Sequence, residues 1–403
     1  MPEERRLLTR VKLRNYKSIA ACDVSPAQLS FLVGPNGSGK SNFLDALRFV
    51  ADALRYSIDH ALRDRGGINE VRRRSGGHPT HFGIRVEFNL EESRGHYAFT
   101  VGAKPHGGYT IQREECYSVR GSGGGAHFYR VQEGDVRKST LYPPPAAAAD
   151  RLYLVNVSGL KIFRSVYEAL SGTGFYNLNP EAIRDLQPPD PGELLKRDGS
   201  NIASVLSNLA KRSPDYKRRI EDYLGKVVPG VVRVNRRPVG PRETLEFRQE
   251  IRGAQHPWRF YASGMSDGTL RAVGVLVALF QGAGNGRSNP RLVGIEEPEA
   301  ALHPAAAGVL IDGLRDAGEH AQILVTSHSP DLLDNDEISA DSIFAVVAEH
   351  GESHIGPLNQ AGRTTLRDHL YTAGELLRMD QLDPDPVLSN LKPSQLKLFG
   401  PEP

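Results

Sequence analysis

The chain has 403 residues, 39% hydrophobic and 24% charged, which suits a water-soluble globular protein of one large domain or two ordinary ones. Fifty basic side chains against 48 acidic leave a formal net charge of +2, so any surface that attracts nucleic acid must be local. Cys22 and Cys116 have no metal-ligand or CxxC spacing, which argues against a disulfide framework and for a reducing cytoplasm. The polar stretch 1–10 lacks the apolar core of a signal peptide, and no apolar run approaches the ~20 residues of a membrane span.

In chain order, residues 7–13 alternate as a strand, and 29–33 form a short apolar run ending at glycine, read as a buried strand. Leu44, Leu47, Val50 and Leu54 then recur at helical spacing. Residues 64–80 are rich in Gly and Arg and read as a loop. Arg63, Arg65, Arg72, Arg73 and Arg74 make it a candidate for DNA phosphates or simply a solvated basic loop. Residues 82–90 alternate as a strand; shorter strand-like pieces follow at 97–101, 109–113 and 128–131, separated by Gly-rich stretches such as 121–125. This middle region predicts an antiparallel sheet.

Residues 143–149 form a low-complexity hinge. Helices are expected at 162–170, at 202–210 with Ser200 or Asn201 as N-cap, and at 216–224. Lys211, Arg212, Lys217, Arg218 and Arg219 form a second basic group there. Strand character returns over 227–251. A helix at 269–281, a strand at 291–295, a helix at 304–317 and a strand at 322–326 complete an α/β pattern with a parallel sheet and a long insertion. No heptad run is sustained, which argues against a long coiled coil.

Four motifs carry chemistry. Gly34-Pro35-Asn36-Gly37-Ser38-Gly39-Lys40-Ser41 satisfies G-x-x-x-x-G-K-[ST] between a strand and a helix. Glycines let backbone N–H groups turn toward phosphate oxygens, and the helix N-terminus favours the anion. Lys40 would meet the β/γ-phosphates and the Ser41 hydroxyl would meet Mg²⁺. Next, the run 292–295 leads into Glu296-Glu297-Pro298-Glu299. Alone this is a common acidic helix start. With the phosphate loop it reads as Glu296 in the Mg²⁺ shell and Glu297 as the base for the attacking water. Finally, the strand 322–326 delivers His328, which could bond a γ-phosphate, and Ser266, Gly268 and Thr269 open a helix that could face an anion.

Taken together, the set resembles the ATP-binding-cassette ATPases of the SMC, RecF and OLD-like group, and more closely the stand-alone AAA-type ATPases of DNA repair and phage defence. The motifs that carry it are Arg14-Asn15-Tyr16-Lys17-Ser18-Ile19, the phosphate loop, Asp198-Gly199-Ser200-Asn201, the Ser-Asp-Gly-Thr run, residues 296–304 and residues 326–330. The resemblance implies an α/β P-loop NTPase fold like an ABC/SMC head, with an antiparallel β subdomain and a helical lobe inserted. It divides the chain into 1–160 (nucleotide-binding lobe), 161–225 (helical lobe), 226–360 (signature, acidic strand and switch histidine) and 361–403 (C-terminal extension).

By the same resemblance, Asn15 and Lys17 border the nucleotide, as do Gly34 to Ser41 with Asn42. Ser266, Gly268 and Thr269 form a signature that meets the γ-phosphate held by a second subunit. His328 is the switch histidine, Lys40 and Glu297 are catalytic, and Ala300-Ala301-Leu302-His303 takes the place of the D-loop. The implied cofactors are ATP and Mg²⁺, and the implied unit is an ATP-sandwiched homodimer. DNA and a separate nuclease or effector are further partners it admits; a membrane is not. A nucleotide-gated clamp without catalysis and a transporter ATPase are the alternative readings.

The chain departs from the family's pattern in three places. Glu296 stands where the metal-binding Asp is usual, the signature is Ser-Asp-Gly-Thr rather than Ser-Gly-Gly-Gln, and Gln187 is a weak candidate for the glutamine loop. The residues after His328 are too few for the C-terminal nuclease of OLD-type proteins. The tail from 380 is either a docking strand or disordered.

Overall fold

The computed structural model describes residues 6–75, 77, 79–121, 125–282 and 290–400. The chain sorts into two compact units: Met1–Thr173 with Ile338–Tyr371 and Met379–Pro403, and Gly174–Glu337 with Thr372–Arg378. In chain order the strands are β1 (Leu8–Tyr16), β2 (Ile19–Val24), β3 (Leu29–Val33), β4 (His81–Asn89), β5 (Ser93–Ala103), β6 (Tyr109–Arg120), β7 (Ala126–Gln132) and β8 (Asp135–Ser139). They continue as β9 (Gly174–Tyr176), β10 (Val231–Val239), β11 (Arg242–Gln249), β12 (Trp258–Tyr261), β13 (Leu292–Glu296), β14 (Gln322–Ser327), β15 (Ile343–Glu349) and β16 (Glu352–Pro357).

In the first unit the expected antiparallel sheet is present, ordered β2-β1-β4-β5-β6-β7-β8. Its alternation is the one the sequence carries: Phe82, Ile84, Val86 and Phe88 are buried, while Arg85 and Glu87 between them are half-buried. The helix Lys40–Arg55 buries Leu44, Leu47, Val50 and Leu54 as its period predicts. Its Phe49 meets Phe82 edge-to-face at 5.3 Å, and Tyr16 packs on Phe82 at 5.7 Å. In the same unit β15 runs parallel to β3 and antiparallel to β16. The Gly-rich stretch at 121–125 lies partly outside the described residues, and 1–5, 76, 78, 283–289 and 401–403 lie wholly outside them.

The C-terminal tail docks onto its own unit. Leu396 and Leu398 are buried with Ala21, the Leu398 carbonyl accepts from Arg85 at 2.9 Å, and the Gly400 N–H donates to Glu115 at 3.1 Å. The Arg113 guanidinium sits 4.1 Å over the Phe399 ring.

In the second unit β13 runs parallel to β14 and to β9. Beside them the helix Asp267–Phe280 is buried along its whole length from Thr269 to Phe280, so its apolar residues show no single stripe. The helices Ile202–Arg212 and Pro214–Val227 accompany the antiparallel sheet β10-β11-β12. The strand β12 was not expected from the sequence, being four residues long and set behind a Gly- and Pro-containing loop.

Candidate nucleotide site

The phosphate loop leaves β3 at Val33 and enters its helix at Lys40. Gly37 (φ 79°) and Gly39 (φ 102°) adopt left-handed backbone that side chains resist, and a Cβ on Gly34 would collide with the Val346 carbonyl. The Lys40 ammonium is buried and donates to the carbonyls of Gly34 (2.8 Å) and Pro35 (2.9 Å). Pro35, Asn36, Gly37 and Ser41 are exposed, whereas the Ser38 hydroxyl is buried with no hydrogen-bond partner among the described residues.

A side-chain relay braces this loop from below. Asn42 Nδ2 donates to Ser18 Oγ (2.7 Å), Ser18 and Ser353 hydroxyls share a bond of 2.6 Å, and Ser353 Oγ donates to the Ser38 carbonyl at 2.6 Å. Donor count gives the relay one direction: Ser353 spends its proton on Ser38, so Ser18 donates to Ser353. Asn15 is the penultimate residue of β1 and Lys17 lies in the β1–β2 turn, both at positive φ (55° and 47°). The Asn15 carbonyl accepts from the Arg73 N–H at 2.8 Å. The Lys17 ammonium pairs at 2.6 Å with Asp45, on the helix that carries the loop. Burial would raise the Asp45 pKa, but Arg65, Lys17 and the Tyr16 hydroxyl outweigh it and hold the carboxyl below its ordinary value.

In the second unit β13 presents the acidic run. Glu297 has φ 46° and its N–H donates to the Thr326 carbonyl at 2.9 Å, which turns the chain at the strand end. Its Oε1 lies 3.1 Å from His328 Nδ1, both side chains being partly exposed. Glu296 is held by Arg197 at 2.8 Å. Arg271, inside the buried helix, donates to the carbonyls of Leu178 (2.5 Å), Glu296 (3.0 Å) and Glu297 (2.8 Å). Glu299 is half-buried, desolvation pushes its pKa up, and it accepts from the Ser327 hydroxyl at 2.6 Å.

The signature run starts its helix. Ser266 Oγ accepts from the Thr269 N–H at 3.3 Å and shares a bond of 2.9 Å with the Thr269 hydroxyl. A Cβ on Gly268 would strike the Ala301 carbonyl, so glycine there permits close approach of the 300–303 turn, in which Ala301 itself has φ 63°. His303 caps the following turn by accepting from the Ala305 N–H at 3.1 Å.

One sequence expectation is corrected and two that were left open are narrowed. Gln187 is no glutamine loop: its carboxamide is buried, donates to carbonyls of Ala182, Ile183 and Gly199, and accepts from the Ala203 N–H. The basic loop is not an open cationic patch. Arg65 is 3% exposed between Asp45 and Asp52, Arg72 bonds Asn69 and the Pro79 carbonyl, Arg73 pairs with Glu352, Arg74 with Glu70, and Arg63 with Asp59. In the second basic group Lys217 pairs with Glu221, Arg218 with Asp215 and Arg219 with Asp316, while Lys211 and Arg212 are exposed.

Sequence reasoning missed Ser353, Arg197 and Arg271. Only Arg271 carried a signal, being a lone charge in an otherwise apolar helical run, and a buried guanidinium must be spent on something. Among the described residues no three His, Cys, Asp or Glu cluster as a metal cage. Mg²⁺ is ordinarily held by one or two carboxylates with water and phosphate, so the Ser41 hydroxyl and Glu296 carboxylate have the hard-oxygen chemistry it takes. No helix of the described residues is long and apolar enough to cross a membrane.

Short segments are similar to "Structural maintenance of chromosomes protein 4" of Schizosaccharomyces pombe, 36% identical over 101 residues (23% of this chain), and of Dictyostelium discoideum, 49% identical over 51 residues (12% of this chain). Those segments are only 7% and 4% of those proteins' lengths. Among solved structures, an SMC head bound to the C-winged helix domain of ScpA superposes with TM-score 0.56 and 15% identity, over 89% of this chain and 99% of that one. An Smc head with an extended coiled coil, bound to the C-terminal domain of ScpA from Pyrococcus furiosus, gives TM-score 0.50 and 13% identity, over 90% and 99%. The fold is that of an SMC head. Residues 29–110 and 143–334 match the family described as "AAA domain, putative AbiEii toxin, Type IV TA system", and this chain belongs to that AAA-domain ATPase family.

Proposed function

We propose that the chain binds ATP with Mg²⁺ and hydrolyses it as a homodimer in the cytoplasm. The observation that carries the reading is the pairing of Glu297 with His328 at the ends of adjacent parallel strands, in a chain that also has a complete phosphate loop. Lys40 and the loop N–H groups bind the β/γ-phosphates, with Lys40 exchanging the carbonyls of Gly34 and Pro35 for phosphate oxygens. Ser41 and Glu296 would hold Mg²⁺, which would supply charge neutralisation at those oxygens. Glu297 takes a proton from the water that attacks the γ-phosphorus. The bond from that phosphorus to the bridging oxygen breaks, and ADP and phosphate leave. His328 orients Glu297 and bonds the γ-phosphate, and Asn15, Lys17 and Asn42 border the nucleotide.

The resemblance supplies the second half: Ser266, Gly268 and Thr269 of another copy close over the γ-phosphate. A ligand that binds only the closed pair stabilises it by mass action, so ATP joins the two copies and hydrolysis releases them. DNA repair or anti-phage defence, with a separate effector such as a nuclease, is the setting this cycle suits.

The test compares the parent, Glu297→Gln and Lys40→Ala by ATP turnover and by size-exclusion chromatography with and without ATP. Glu297→Gln should turn over at least ~10²-fold more slowly and remain dimeric in ATP, while Lys40→Ala loses nucleotide binding. Monomers throughout, or unchanged turnover in Glu297→Gln, would overturn the proposal.

A further inference from the structure

The whole-chain charge conceals one strongly basic segment. Residues 231–261 hold seven arginines and three glutamates, a surplus of four positive charges in a chain whose net is +2. These residues are the sheet β10-β11-β12 with its connecting turns. Arg236 is spent on Glu243, and Arg248 leans on Glu246. Arg233, Arg237 and Arg259 are exposed and have no carboxylate partner among the described residues.

Register places these charges together. Arg233 lies opposite Arg248, and Arg248 opposite Arg259, so three guanidinium groups form one row across all three strands. Directly opposed residues share a face, with neighbours about 5 Å apart. Arg237, four residues along β10 from Arg233, stands on that same face. The next row carries Tyr261, 44% exposed and opposite Glu246. Like charges set directly opposite each other destabilise a sheet. Glu246 relieves Arg248 alone, so the row is left short of anions.

We infer that this face binds single-stranded nucleic acid. Exposed arginines in a row would take successive phosphates of an extended backbone, and Tyr261 would stack a base, the pairing of cationic track and aromatic platform that single strands require. A duplex offers phosphates but no unstacked base, so the exposed tyrosine selects the single strand. The basic loop at 63–74 cannot serve in its place, because its arginines are paired within their own unit.

The experiment is fluorescence anisotropy with a labelled 20-nucleotide dT oligomer and a mixed-sequence duplex of the same length. It is run without ATP, so that failure of the ATPase proposal does not affect it. Full-length parent, Arg233→Ala/Arg259→Ala, Arg233→Lys/Arg259→Lys and Tyr261→Ala are compared between 50 and 200 mM salt, with thermal melting to confirm that each is folded. The parent should prefer the single strand. The double alanine variant should bind it at least ~10-fold more weakly, with a salt slope shallower by about 1.4, and the lysine pair should restore most of both. Tyr261→Ala should weaken the single strand by about 5-fold or more and leave the duplex unchanged. No single-strand binding by the parent, full affinity in the double alanine variant, or equal binding of duplex and single strand with Tyr261→Ala inert would each overturn the inference. So would loss of self-association in place of oligonucleotide binding.

Discussion

His328 Nδ1 stands 3.1 Å from Oε1 of Glu297, and the two residues arrive there from neighbouring parallel strands. The left-handed backbone at Glu297 and the N–H it gives to Thr326 fix the carboxylate relative to the ring. A base so oriented by a second side chain loses rate before it loses ligand. His328→Ala should therefore lower ATP turnover by about 10²-fold while nucleotide affinity changes only a few-fold. Steady-state turnover and equilibrium nucleotide titration on one preparation separate the two quantities.

The relay Asn42–Ser18–Ser353–Ser38 predicts an effect on binding from a residue far from the loop in sequence. Ser353→Ala removes the donor to the Ser38 carbonyl, a change of about 1 kcal/mol, so nucleotide should bind roughly 5-fold more weakly. Titration with a fluorescent ATP analogue reads this, and unchanged affinity would show that the relay does not hold the loop.

Arg271→Met keeps the length of the side chain but withdraws donors from three carbonyls at the end of the acidic strand. The expected loss is about 3 kcal/mol of stability. A shift of the urea midpoint at constant slope measures it; an unchanged midpoint would mean that the carbonyls find other donors.

Acid should release the docked tail. Burial would push the Glu115 pKa up, but His96, the Gly400 N–H and Arg130 outweigh it and hold the carboxyl at about 2, against 4.5 for the unperturbed group. A depressed carboxyl contributes stability that is complete above 4.5 and is lost as pH falls toward 2. The parent should therefore melt well above Glu115→Gln at pH 6, and the two melting temperatures should converge as pH approaches 2. A gap that stays constant across this range would contradict the assignment.

Local chemistry was legible wherever it depends on neighbours in the chain. The phosphate loop, the strand leading to Glu296 and the Ser266 cap each need only a few consecutive residues, and each could be read from spacing. Charge stays open between two readings for the same reason. Arg63 to Arg74 look like a patch when only sequence neighbours are seen, yet the carboxylates that neutralise Arg65 and Arg73 come from Asp45, Asp52 and Glu352. The arginine row of β10–β12 stayed hidden because its members are apart in sequence and meet only through register. Ser353 carries no local mark at all, since a serine in a strand is unremarkable until its partner is known.

That separation has a consequence for synthesis. The phosphate loop is complete once Ser41 is made, but the hydroxyl that supports Ser38 comes from residue 353. At 5–20 residues per second the ribosome needs roughly 15–60 s to cover the interval. A nascent chain thus carries an unbraced loop through most of its translation, and nucleotide binding matures only when β16 has emerged. Lysates should accordingly show weaker ATP-agarose retention for ribosome-bound chains stalled before residue 353 than for the finished protein.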